Sequence, residues 1–74
     1  MENQDIQLML CINNGGSEDL EVRKLYEVIP DDDASKDHYL RVVDESGEDY
    51  LYPEDYFHPI ELSSVVRNTI LQAA

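Results

Sequence analysis

The 74-residue sequence has no tryptophan, one phenylalanine and one cysteine, and only five basic residues against seventeen acidic ones. Each shortage excludes something. Cys11 alone makes no internal disulfide, and no CxxC or paired His/Cys spacing offers structural zinc, so the usual staples of a small domain are missing. A chain this short buries a modest fraction of its surface and must draw its stability from one core. Its longest apolar run, LMLCI at 8–12, is too short for a signal-peptide core and far too short to cross a bilayer. With the acidic, polar start and the free cysteine, this sets the expectation of a cytoplasmic chain. The scarcity of positive charge leaves a formal net charge of −12. Such a field repels nucleic acid and anionic membrane surfaces, and it favours either simple solubility or a basic partner.

Chemistry-bearing patterns are equally sparse. The NNGGS stretch at 13–17 lacks the lysine and following helix of a phosphate loop. Counting from Asp31, the acidic segment DDDASKDH places Lys36 at the sixth position and Val42 at the twelfth. A calcium loop needs glycine and glutamate there. His38 and His58 have no third ligand at helical or hairpin spacing. Acids abound, but the sequence marks none as buried, as an acid/base pair would require. The serines fall in turns or at a cap, where they have ordinary structural roles. The expectation is a chain that is not an enzyme, with no catalytic residue, no metal and no cofactor.

What is present is β patterning. LMLCI reads as a short buried strand, and Cys11 within it as an inert, buried thiol. After the turn chemistry of NNGGSED, the residues Leu20, Val22, Lys24, Tyr26 and Val28 alternate as in a second strand that Pro30 stops. DDDASKD is read as a charged loop. Two β-rich runs, Tyr39 to Val43 and Tyr50 to Tyr52, flank DESGED and predict a hairpin in which Gly47 supplies the positive φ. A single turn over PEDYF and a short strand over IEL follow. The tail SSVVRNTILQAA then changes period: Val66 and Ile70 share a helical face that Leu62 or Ala73 extends, with Ser63 or Ser64 as cap. These elements predict one mainly β domain over 1–74: a small barrel of about five short strands over roughly 6–62, with a short C-terminal helix over roughly 63–73 laid against it.

The order of features in SGEDYLYPEDYFHPIEL resembles the end of an SH3 domain, in which a Gly-containing distal turn precedes a strand, a Pro-x-x-Tyr turn and a last short strand. Gly47, Leu51 and Tyr52, Pro53 and Tyr56, then Phe57 and PIEL stand in that order. LEVRKLYEVIPD resembles the segment that enters the second SH3 strand, so the similarity spans roughly residues 20–62 and implies an SH3-like barrel. It does not carry over the peptide-gripping ridge. His38 and Tyr39 stand where the SH3 tryptophan pair would fall, and LMLCINN lacks the tyrosine-containing signature. DESGEDYLYP also resembles a family of short bacterial proteins with no agreed function, which implies a bacterial source.

Residues 47–59, GEDYLYPEDYFHP, hold three of the five tyrosines, the one phenylalanine and two of the three prolines. With Leu51 in the core, Tyr50 and Tyr52 would share the outer face beside the turn carrying Tyr56, and exposed tyrosines suit recognition. The opposite register, tyrosines inward and Leu51 out, would remove that surface. The expected role is therefore a protein-interaction module whose contacts are Tyr39, Tyr50, Tyr52, Pro53 and Tyr56. Glu48, Asp49, Glu54 and Asp55 would favour a basic protein partner. The alternative expectation is a structural or regulatory subunit that pairs as a homodimer or within a larger assembly, through LMLCI or the helix face of Val66 and Ile70.

Overall fold

In the computed structural model, which describes residues 6–73, five strands form one antiparallel sheet. They are β1 (Gln7–Cys11), β2 (Leu25–Ile29), β3 (Tyr39–Val43), β4 (Asp49–Pro53) and β5 (Phe57–Pro59), in the order β4-β3-β2-β1-β5. The sheet curls into a half-barrel, and a C-terminal helix, here α2 (Ser64–Ala73), completes the mainly β fold that the patterning predicts. Residues 1–5, Ala74 and the side chain of Ala73 lie outside this description, so the expected acidic start and the Ala73 extension of the helix face are not addressed by it.

The concave face holds the core. Tyr26 and Val28 come from β2, Val42 from β3, Cys11 from β1 and Phe57 from β5; Leu20 drops in from the long β1–β2 connection. Phe57 receives two tyrosine rings edge-on, Tyr26 at 6.3 Å and 84° and Tyr52 at 6.3 Å and 65°, an arrangement the ring quadrupoles favour. On the opposite face Leu8 is also buried. Leu8, Leu25 and Val43 line an open hollow, with Lys24, Glu27 and Glu45 at its rim and Ile70 of α2 at its border. The Arg67 guanidinium donates to the Ile6 carbonyl and ties α2 to the approach of β1. Ser63 Oγ accepts from Val66 N–H at 3.2 Å, the expected cap.

Three local expectations need correction. The alternation from Leu20 to Lys24 is not strand. Cys11 N–H donates to the Lys24 carbonyl and Arg23 N–H to the Cys11 carbonyl, and Arg23 adopts φ 80, so β2 begins only at Leu25. The acidic loop contains a one-turn helix, α1 (Asp32–Lys36). Asp31 Oδ1 caps it by accepting from Ala34 N–H at 3.0 Å, with Asp32 and Asp33 at the positive end of its dipole and Lys36 at the other. The last strand is Phe57–Pro59, not IEL. The Tyr56 carbonyl accepts from both Ile12 and Asn13 N–H, at 2.7 and 3.3 Å, which fixes the pairing with β1 before Ile60 is reached.

Cys11 is fully buried, and desolvation pushes its thiol upward against the lowering effect of its hydrogen bond to the Asn13 carbonyl. The native protein is therefore expected to leave a thiol reagent unreacted over times in which the urea-denatured chain reacts completely. Rapid native labelling would place Cys11 at the surface.

Candidate partner-binding surface

The β3–β4 hairpin is the predicted one, with Tyr39 opposite Pro53, Leu40 opposite Tyr52, Arg41 opposite Leu51, Val42 opposite Tyr50 and Val43 opposite Asp49. Gly47 turns it at φ 88. Its facing is the reverse of the expected one. Val42 is fully buried on the concave side, and its cross-strand neighbour Tyr50, like Tyr52 opposite Leu40, must share that side. Leu51 points outward and is 47% exposed.

This register divides the five candidate residues. Tyr52 lies half-buried against Phe57, and its hydroxyl donates to Asp44 Oδ2 at 2.6 Å. Tyr56 ends the 3₁₀ turn Glu54–Tyr56 and packs onto the core with its ring against Gly15. Tyr50 stands at the rim of the same face, 49% exposed, donating to Glu48 Oε1 at 3.0 Å. Tyr39 and Pro53 pair on the opposite face beside Leu51 and Arg41, with Tyr39 42% exposed. Tyr39 and Tyr50 are thus the open members of the five, and Leu51, expected in the core, joins them on an edge hairpin exposed on both faces. Tyr52 and Tyr56 are lids on the core.

A carboxylate that the sequence did not mark as buried sits beneath the turn. Asp44, 5% exposed, accepts from Ser46 N–H (3.0 Å), Ser46 Oγ (2.5 Å) and Tyr52 Oη (2.6 Å). Burial pushes its carboxyl up, but the Ser46 and Tyr52 donors outweigh this and hold it below the usual carboxylate range. Only the local half of this site, the Asp-x-Ser turn in DESG, is visible as a sequence signal. With three donors converging on its carboxylate, Asp44 is the structural hub of the turn.

Cations near the hairpin are already engaged. Arg41 reaches Asp31 at 2.7 Å and Asp49 at 3.1 Å, and Lys24 reaches Glu45 at 2.6 Å. The Ala34 amide and then Arg41 lower the Asp31 carboxyl; Lys24 and then the Tyr26 hydroxyl lower that of Glu45. Glu48 and Asp55, at the two ends of β4, have no cationic partner among the described residues. His38, at φ 64, places Nδ1 3.3 Å from Glu54 Oε2 in the open. Among the described residues no three His, Cys, Asp or Glu side chains converge as a metal site, and no helix is long and apolar enough to cross a membrane.

β4 is an edge strand, and its ladder determines which backbone groups are free. Asp44 N–H donates to the Glu48 carbonyl (3.1 Å) and Glu54 N–H to the His38 carbonyl (2.9 Å). Alternation along an antiparallel pair then turns the backbone groups of Tyr50 and Tyr52 toward β3, and those of Asp49, Leu51 and Pro53 away from it. Proline at 53 fits this position, since the N–H it lacks would point outward.

Compared with known protein families, curated proteins and solved structures, the chain matches none of them.

Proposed function

We propose that this chain is a non-enzymatic protein-interaction module that holds a basic protein partner on the β3–β4 hairpin. The observation that carries this reading is the juxtaposition of exposed Tyr39, Tyr50 and Leu51 on an edge hairpin whose ends bear the uncompensated carboxylates Glu48 and Asp55. Aromatic and aliphatic contacts supply the buried area, and the acidic rim selects a Lys/Arg-bearing partner and speeds its approach. The order of distal hairpin, 3₁₀ turn and final strand supports an SH3-like reading of the barrel. The peptide groove of that family is a poorer model for binding here, because Tyr56 packs inward. A cytoplasmic setting and a bacterial source belong to the same reading.

The test compares Lys/Arg-rich peptides with neutral and acidic peptides of equal length, using wild type and a Tyr39→Ala/Leu51→Ser variant. Basic peptides are expected to bind preferentially, and the variant to bind them about tenfold more weakly, roughly 1.4 kcal/mol, with an unchanged circular dichroism spectrum. Equal binding by the folded variant would reject the hairpin as the site.

The alternative, a self-associating structural subunit, draws on Val65 and Val66 of α2, which are 73% and 46% exposed. Light scattering separates the two readings: a concentration-independent monomer removes the motive for self-association.

A further inference from the structure

Resting on that reading, we infer that the partner binds as an added β-strand: an extended basic segment of another protein pairs antiparallel with the free edge of β4. The sheet has two edges, and they differ in what they offer. On β5, Phe57 N–H is turned back to the Glu54 carbonyl and Pro59 has no N–H. Ile12 N–H bonds the Tyr56 carbonyl, so alternation directs the backbone of His58 inward to Leu10. The β5 edge therefore presents carbonyls but no donor, and it cannot sustain a ladder.

The β4 edge presents N–H and C=O of both Asp49 and Leu51, with Asp49, Tyr50 and Leu51 all exposed. Among the described residues no hydrogen bond engages these outward groups. Natural edges are blunted by charge or proline, and here proline stops the run at 53 while leaving two complete donor–acceptor stations ahead of it. Strand addition uses such stations for affinity and alternate side chains for selection.

The register states the partner's chemistry. An antiparallel strand places one residue opposite Leu51 and another, two positions later, opposite Asp49, both on the outer face. The first meets Leu51 with Tyr39 and Pro53 nearby and is apolar; the second meets Asp49, whose exposed carboxylate it would share with Arg41, and is Lys or Arg. The residue between them faces the exposed ring of Tyr50. The recognised segment reads, from its N-terminal side, apolar-x-Lys/Arg in extended conformation, with further positive charge toward Glu48 and Asp55. A second copy of this chain is a poor occupant. Antiparallel pairing of two β4 strands about Leu51 sets Glu48 of each copy opposite Glu54 of the other, and each copy carries a net charge of −12.

The experiment titrates a ¹⁵N-labelled chain with a synthetic apolar-x-Lys peptide and two N-methylated versions of it. One is methylated on the apolar and Lys residues, whose N–H groups would face β4; the other is methylated on the intervening residue only. The first modification is expected to weaken binding at least tenfold and the second to leave it within about twofold. Amide exchange of Asp49 and Leu51 is expected to slow on binding, while Tyr50 and Tyr52, already paired to β3, change little. Leu51→Pro removes one outward N–H without breaking the β3 ladder, and it is expected to bind more weakly than Leu51→Ala at equal thermal stability.

Equal binding of both methylated peptides, together with sensitivity to Tyr39→Ala/Leu51→Ser, would overturn strand addition and leave the hairpin face as a side-chain docking surface. Failure of every basic peptide to bind would overturn both. Concentration-dependent protection of the Asp49 and Leu51 amides in the chain alone would assign the edge to a second copy and overturn the basic partner.

Discussion

Asp44→Ala is expected to cost about 3 kcal/mol, because it removes a buried charged acceptor from three donors, the Ser46 amide, the Ser46 hydroxyl and the half-buried Tyr52 hydroxyl. For a chain of this size that is a large fraction of total stability and lowers Tm by roughly 10 °C or more. Asp44→Asn keeps an acceptor of the same shape and should fall between the two. Tyr52→Phe, which removes one donor and keeps the ring on Phe57, should cost only about 1 kcal/mol.

The same site sets a pH dependence. Its donors hold the Asp44 carboxyl below its ordinary value in the folded chain, so it binds protons less readily folded than unfolded. Its contribution is therefore present above the unfolded value, about 3.9, and is lost as pH falls through the folded one. Asp31 and Glu45 are lowered as well and act in the same direction. Urea melts should show wild-type stability declining as pH drops below about 4, with a shallower decline for Asp44→Ala. Equal slopes, or a cost at neutral pH under about 1 kcal/mol, would show that the carboxylate is not the hub of the turn.

Gly15→Ala is expected to be nearly as damaging, at about 2–3 kcal/mol, through two separate causes. At φ +58 any side chain is strained, which accounts for about 1 kcal/mol. The new Cβ would also lie 2.1 Å from Tyr56 Oη and within 2.7 Å of two ring carbons, so the ring must leave its seat on the core and surrender apolar burial of about 1–2 kcal/mol. Gly16→Ala is the internal control. Its φ is +87 and nothing lies within 4 Å of its would-be Cβ, so only the backbone cost applies. A double-mutant cycle of Gly15→Ala with Tyr56→Ala should give a coupling of about 1 kcal/mol or more, since removing the ring removes the clash. Strict additivity would mean that Tyr56 accommodates the methyl without penalty.

These two residues also mark where reading from sequence stops. The hairpin was legible nearly to the residue, because alternation over 39–43 and 50–52 and the glycine of DESGED are local signals. The C-terminal helix and its Ser63 cap were legible for the same reason. A period of two, however, says that Tyr50 and Tyr52 oppose Leu51 without saying which side is the core. That is decided across the sheet, where Val42 closes over Val28. The burial of Asp44 depends on a hydroxyl eight residues away, and the seat of Tyr56 on a glycine forty-one residues before it; neither separation has a pattern. The one-turn helix at Asp32–Lys36 carried a readable Asp cap, but five residues are too few for helical periodicity to emerge.

Three of the four strand pairings join neighbours in sequence, whereas β1 and β5 meet across roughly two thirds of the chain, from Met9 to Pro59. That single closure carries the chain-entropy penalty of a long loop, and the penalty grows only as the logarithm of length, roughly 0.6 kcal/mol for each doubling. Insertions in the acidic connections at 12–24 and 30–38 therefore add little to the closure itself. They are dangerous only where they disturb a specific seat, such as Gly15 beneath Tyr56. The topology leaves those connections open to variation in length and charge while holding the β4 edge in a fixed frame.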